Sequence, residues 1–583
     1  MAKLSAVNLA LRLVLPCFLG SFFILAITPI AGSSRSPLSA ITPDAWTSLN
    51  ASIGGRLRRA TPFALPCFAK YNNVTVPVDE VACKTIQDHY TSPSSRVENF
   101  STNMLVQYET CMAQHTGCLL DYTNPQNPLA TDGVSCDQGQ ISPYYVDIRA
   151  PSDIQAAFQF AEKTSVPLSI KNTGHDYMGR SRQLNSLGLW THNLQTMSYH
   201  AQFTPEHCKT SHRAITVGAG VTFEQVYKFA DDNDVMFIGG YASTIGASGG
   251  WLMGGGHSVL SPVYGLGVDR VLEIKIVTPD GKFRTANACQ NSDLFWALRG
   301  GGGGTFGVVV ESTHLVEPRI PLQAINMTFT PTADNLQEFF EILVNNSASW
   351  GGAGWGGHVL PPGGLVYVNP RLSLDEAKQS MAQLSTFSQN YNGTAEIQTF
   401  ASWYAFFTKF IMEGTIASAN TGPLGSRLLP QTLFESESGR TQLVAHLVKR
   451  TSELGFPYTP VVTPIAYNYT EGATSLTPAW RTGLWHYSTK ATFSYNSSVE
   501  QIRAAYSTVH NFVRDELTPL APDSGAYLNE GDVYESDHEY TYWGPNYERL
   551  AAIKAKYDPH RLLDCWKCVG WKGPAEHPCY ITL

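Results

Sequence analysis

Along residues 143–175 the spacing of apolar positions changes as the chain advances. "YYVDIRA", from Tyr144 to Ala150, predicts a short strand. Ser152 and Asp153 then precede Ile154, Ala157, Phe158 and Ala161, which are spaced as one helix face, and the two polar residues read as its cap. "VPLSIK" predicts the next strand. Strand, helix and strand in so short a span make a βαβ-like unit. The turn "NTGHDY", with His175 at its centre, leaves the last strand.

The theme returns in "HRAITVGAGVTFEQVYKFADDND": a strand, a turn at Gly218 and Gly220, and a helix capped by Thr222. "VLEIKIVTPDGKFRTA" predicts a hairpin closed by Pro-Asp-Gly. "DLFWALRGGGGGTFGVVVEST" reads as a helix, a glycine run and a strand. Beyond residue 320 the glycines thin out. Strands such as "GGLVYVNPRLS" alternate with helices such as "SLDEAKQSMAQLSTF" and "SVEQIRAAYSTVHNFVRDEL". The expected class is α+β. The segments are 1–32 (leader), 33–140 (Cys-containing cap), 141–319, a second α+β domain over 320–520, and 521–583 returning to the first domain.

Composition narrows the function. Charged residues make up 15% of the 583 positions and the net charge is −8. No basic block is present, which argues against a nucleic-acid partner. The N-terminus carries Lys3 and Arg12, then the apolar run Leu13–Ala31 and small residues. This pattern predicts a signal peptide cleaved near Ala31–Ser33, and no membrane attachment after cleavage; an uncleaved anchor is the alternative. Secretion agrees with eight Asn-x-Ser/Thr acceptors, at Asn50, Asn73, Asn99, Asn326, Asn345, Asn392, Asn468 and Asn496. It also agrees with the ten cysteines left after Cys17, most of which an oxidising compartment would pair. Cys565 and Cys568 form a CxxC without a second pair or a nearby His pair. A disulfide is expected there, and no metal set is expected.

Glycines cluster at 239–256 and 300–307. Runs of exposed backbone N–H groups can hold a pyrophosphate. The chain has no Walker lysine, and "GGGGTFG" follows a helix rather than a strand, which disfavours an ordinary dinucleotide fold.

Five stretches narrow the reading: "IKNTGHDYMGRS", "GAGVTFEQV", "GGYASTIGASGGWLMGGGHSVLSPVYGLGVDRVLEIKIVTPDG", "DLFWALRGGGGGTFGVV" and "GAYLNEGD" with "YWGPNYERL". In this order the chain resembles the berberine-bridge-enzyme branch of the vanillyl-alcohol-oxidase flavoprotein superfamily, closely over 141–319 and over the last 60 residues. Its "CWKCVGW" ending resembles fungal secreted members. The resemblance implies a two-part FAD-binding domain and a substrate domain with an antiparallel sheet.

It also implies roles for individual residues. His175 matches the histidine that bonds covalently to FAD. Asn172, Thr173, Gly174, Asp176 and Tyr177 surround it. Gly240, Ala242, Ser243, Thr244, Ile245, Gly246, Gly249 and Gly250 belong to the second cofactor loop. Many members carry a second, cysteinyl link where this chain has Ala242, so a single covalent link through His175 is expected. Ile245 stands where the family sets oxygen access, and its bulk predicts slow reoxidation. Glu530 and Tyr527 are the candidate catalytic residues, with Asn529 toward the flavin. "YLNE" is expected to be a strand with Leu528 and Glu530 on one face, and burial is expected to raise the Glu530 pKa. His257 reads as a packing residue rather than a base, and Asn546 as a tie to the flavin domain.

The implied reaction is hydride transfer from a small organic substrate to FAD, with molecular oxygen or another acceptor taking the electrons. Secondary-metabolite formation is the expected setting, with a cyclised product in range. The alternatives are a secreted alcohol or carbohydrate oxidase of the same fold, and a noncatalytic secreted flavin-binding protein.

Overall fold

A computed structural model describes residues 38–412 and 418–583. The apolar N-terminal run, and with it the expected leader, lies outside the described residues. Among them, no helix is long and apolar enough to cross a membrane.

The first sheet has four strands. Tyr144–Asp147, Leu187–Trp190 and Leu168–Lys171 run parallel, and Leu57–Arg59 adds an antiparallel edge. The helix Pro151–Thr164 connects two of the parallel strands. Its apolar face, Ile154, Ala157, Phe158 and Ala161, is buried as its spacing predicts. The cap differs from expectation. Ala150 occupies the N-cap position, Pro151 opens the helix and Ser152 is exposed. The Asp153 carboxylate reaches back to accept from the Arg149 and Ala150 N–H groups at 2.9 and 3.1 Å. Proline needs no hydrogen bond in the first turn, so it displaces the polar residue as the starting point.

The second sheet is antiparallel. In spatial order its strands are Phe283–Asn287, Val271–Val277, Val308–Leu315, His212–Gly218 and Met197–Phe203. The hairpin turn is where the Pro-Asp-Gly triplet puts it. Gly281 takes a positive φ of 72°, and Asp280 Oδ1 accepts from Thr278 Oγ1 at 2.5 Å. Thr222 is the N-cap of Phe223–Asp232, with Gln225 Oε1 accepting from its N–H at 2.8 Å. Gly220 is required by close backbone approach, because a Cβ there would lie 1.9 Å from the His192 carbonyl oxygen.

A third sheet, antiparallel, orders Thr394–Phe400, Leu322–Thr328, Gly364–Asn369, Gly356–Leu360 and Thr459–Val461. The helices Leu336–Gly352 and Glu437–Leu454 share one apolar core with it, through Phe339, Leu343, Leu443, Leu447 and Tyr367. The strand pair Leu424–Pro430 and Gly483–Lys490 lies beside this core. The expected helix over 373–387 is two helices, Leu374–Ser380 and Ala382–Asn390, with Ser373 and Glu376 capping the first reciprocally.

The last residues return to the first two sheets. Lys554 Nζ, buried in the helix Tyr547–Tyr557, donates to the Thr305 carbonyl at 2.7 Å and to Asp558 at 2.5 Å. Trp543 Nε1 donates to the Gly300 carbonyl at 3.0 Å. Asn546 ties elsewhere than expected: its amide donates to the Leu476 carbonyl at 2.7 Å. Five disulfides join Cys67–Cys83, Cys111–Cys579, Cys118–Cys136, Cys208–Cys289 and Cys565–Cys568. The Cys111–Cys579 bond spans 468 residues and fastens the chain end to the early part of the fold. None of the eight Asn-x-Ser/Thr asparagines is buried.

Candidate active site

The cleft that gathers the candidate residues is built from three parts of the chain: residues 168–181, residues 245–253 with 303–309, and residues 527–530 with 563–565. It holds about 1230 Å³ of atom-free space, its open mouth included.

Asn172, Thr173, Gly174, His175, Asp176 and Tyr177 line one wall. The turn is held from within, as Asp176 accepts from the Met178 and Ser181 N–H groups at 3.1 and 2.6 Å. Gly174 has a φ of 94°, which glycine alone adopts without strain. Below the wall, buried Lys171 donates to the Asn99, Phe100 and Thr102 carbonyls at 2.6–3.0 Å. His175 Nε2 lies 2.7 Å from Thr244 Oγ1. Burial pushes the imidazole pKa down to about 4, so the ring is neutral and keeps a lone pair near neutral pH.

Ile245, Gly246, Gly249 and Gly250 form the facing wall. A Cβ on Gly246 or Gly249 would press on the Asn172 amide at 2.3 or 2.7 Å, whereas a Cβ on Gly250 would meet nothing within 4 Å. Gly240, Ala242, Ser243 and Thr244 are not part of the lining. They wrap the start of the helix Phe223–Asp232, where the Ser243 carbonyl accepts from Glu224 N–H at 2.9 Å and Tyr227 Oη donates to the Gly240 carbonyl at 2.6 Å. Thr244 reaches the site through His175.

Two buried polar atoms beside this wall, Asn172 Oδ1 and Ser248 Oγ, have no hydrogen-bond partner among the described residues. Buried polar atoms are nearly always satisfied. Orphaned acceptors, a glycine-lined wall and a neutral imidazole fit a cofactor with polar and phosphate groups.

The third stretch corrects two expectations. Tyr527–Glu530 is a turn, closed by Glu530 N–H donating to the Tyr527 carbonyl at 2.9 Å, and not a strand. The alternation of faces therefore fails. Tyr527, Asn529 and Glu530 all line the cleft. Asn529 Nδ2 donates to Tyr527 Oη at 2.8 Å and to the Gly250 carbonyl at 2.9 Å, clamping this turn to the glycine wall. Arg180 holds the turn from the other side through the Leu528 carbonyl at 2.7 Å.

The Glu530 pKa also differs from expectation. Burial pushes it up, but the His257 hydrogen bond opposes burial and the carboxyl lies below the ordinary carboxylate value. His257 Nε2 stands 3.3 Å from Glu530 Oε1, and His486 Nδ1 stands 3.6 Å from Oε2. Burial holds His486 down to about 4 and His358 to about 3, so both are neutral near pH 7. Tyr527 and Tyr177 are pushed up, mainly by burial, and stay protonated.

His486, His358 and Tyr458 went unnoticed in the sequence. His358 and His486 sit inside the strands Gly356–Leu360 and Gly483–Lys490, and Tyr458 Oη stands 2.9 Å from His358 Nδ1. A histidine beside apolar or aromatic residues, His358 before Val359 and His486 between Trp485 and Tyr487, was the available signal.

The profile of the FAD binding domain family matches residues 143–287, and that of the berberine and berberine-like family matches 526–564. The two matched segments hold the walls of one cleft. The chain belongs to the berberine-bridge-like FAD-linked oxidoreductases of the vanillyl-alcohol-oxidase type, and it is an enzyme of that class. It is 41% identical to the FAD-linked oxidoreductase ffsJ of Aspergillus flavipes, over 94% of this chain and 96% of that one. It is 39% identical to the FAD-linked oxidoreductase cheF of Chaetomium globosum, over 95% and 89%. Among solved structures, the VAO-type flavoprotein MtVAO615 of Myceliophthora thermophila superposes with a TM-score of 0.80 at 26% identity, covering 93% of this chain and 96% of that one.

Proposed function

We propose that the enzyme oxidises a small secondary metabolite of the alkaloid or polyketide class, with FAD attached through His175 alone and Glu530 as the proton acceptor. The observation that carries this reading is a buried carboxylate, kept ionised by a histidine, in the same cleft as a neutral and cofactor-competent imidazole.

Bound FAD supplies the hydride acceptor. Asn172, Ser248 and the glycine wall would hold its polar groups, and His175 its covalent bond. Ala242 offers no thiol for a second link. Glu530 takes the proton from a substrate O–H or N–H, and its His257 contact keeps it ionised while empty. Asn529 and Arg180 fix the turn that carries Glu530. Trp480 and the protonated Tyr527 pack around His257, and Tyr177, Trp251 and Tyr527 give the cleft an aromatic lining suited to a ring-bearing substrate. The electrons pass on to molecular oxygen or another acceptor.

The test is anaerobic bleaching of the flavin by a panel of alkaloids, polyketide alcohols and oligosaccharides. Bleaching by the first two supports the reading. Bleaching by sugars alone replaces it with a carbohydrate oxidase, and no bleaching with any reductant-competent alcohol or amine leaves a flavin-binding protein. Export is part of the same proposal, supported by the paired cysteines and by acceptor asparagines none of which is buried. Endoglycosidase treatment of protein from the culture medium should lower its mass.

A further inference from the structure

Three donors converge beside the cleft: His257, His486 and Glu530 each offer one ligand atom, and these atoms all lie within 4.8 Å of one another. The separations from Glu530 are 3.3 Å to His257 Nε2 and 3.6 Å to His486 Nδ1. Donors about 2.1 Å from one tetrahedral ion stand roughly 3.4 Å apart. The two separations from Glu530 already match that spacing, and a pair as wide as 4.8 Å would close by side-chain rotation.

His486 is the decisive residue. It is 0% exposed, and neither of its ring nitrogens has a hydrogen-bond partner among the described residues. Its 3.6 Å approach to Glu530 is too long for a hydrogen bond. A wholly buried imidazole with both nitrogens unsatisfied is costly, and an ion is one of the few occupants that repays it. His358 stands behind, oriented by Tyr458, with its own Nε2 unpartnered.

We propose that His257, His486 and Glu530 bind one divalent transition-metal ion of the zinc type, with its remaining coordination positions open to the cleft. Two imidazoles and one carboxylate, without thiolate, suit zinc and its first-row neighbours and disfavour calcium and magnesium. Three protein ligands are also the count that leaves a position for a substrate oxygen. The site shares the pocket of the proposed oxidation, and it rests on that reading only for the identity of the oxygen it would hold.

The test uses the flavin-loaded enzyme and no substrate. The protein is stripped with chelator, given one equivalent of zinc sulfate or cobalt chloride, desalted and analysed for metal. One ion per chain is expected, with the visible bands of low-symmetry Co²⁺ beyond the flavin absorption. His486→Ala and Glu530→Gln should each weaken retention at least about a hundredfold while keeping flavin, and exposed His560→Ala should change nothing. No retained ion in the unsubstituted enzyme overturns the proposal, and so does retention equal in His486→Ala and Glu530→Gln. Flavin bleaching by the alcohol panel reads the base assignment separately. Slow bleaching in Glu530→Gln without metal binding would leave Glu530 as base and remove the metal. One retained ion in the unsubstituted enzyme, lost in Glu530→Gln while that variant bleaches at an unimpaired rate, would keep the ion and remove the base.

Discussion

His175 Nε2 and Thr244 Oγ1 stand 2.7 Å apart and join the two loops that face each other across the cleft. The contact sets which ring nitrogen carries the proton, and so which one is free to bond. Acid-denatured enzyme should keep its flavin on the peptide containing His175. His175→Ala should release all of it, and Thr244→Val should leave a substantial free fraction. Mass spectrometry of the flavin peptides checks this, and a cysteinyl-flavin peptide would refute the single link.

Glu530→Gln keeps the shape of the side chain and removes the proton acceptor. Flavin reduction should slow by about a hundredfold or more, with flavin content unchanged. Stopped-flow reduction reads the rate, and an unchanged rate assigns the base elsewhere.

The pH profile follows from the direction of the Glu530 shift. A carboxyl held below its ordinary value of 4.5 stays ionised as pH falls through 5, so reduction should lose rate only below that value. In His257→Ala burial acts with less opposition, and the acidic limb should move toward neutral pH. An acidic limb near pH 6 in the unsubstituted enzyme would contradict this.

Ile245 lines the cleft next to Gly246. If its bulk limits oxygen access, Ile245→Val should reoxidise faster after anaerobic reduction. Equal reoxidation traces in air remove Ile245 as the gate.

Arg96 and Glu109 form an ion pair, 0% and 3% exposed, next to Lys171 and Arg182. Glu109 also accepts from Asn103 N–H at 2.7 Å. Glu109→Ala leaves a buried guanidinium uncompensated and should cost about 3–5 kcal/mol in urea unfolding. A loss below about 1 kcal/mol would show that the neighbouring carbonyls suffice.

Much of the first half was legible because its signals are local. The Pro-Asp-Gly turn, the Thr222–Gln225 box and the apolar face of Pro151–Thr164 each depend on residues within one or two turns of chain. "YLNE" was misread for the opposite reason. Its residues alternate as a strand would, but Asn529 finds partners in Tyr527 and Gly250, and that clamp favours a turn over a ladder.

The sequence by itself determined the class of protein and pointed to the glycine clusters and the imidazole at 175, since each is written in contiguous motifs. Only the tertiary structure decided the state of Glu530. The carboxylate is ionised by His257, 273 residues away, and faced by His486 and His358 from two strands of other sheets. Charge and desolvation depend on distance through space. A side chain's neighbours at 3–4 Å outweigh its neighbours in the chain, and no local pattern records them.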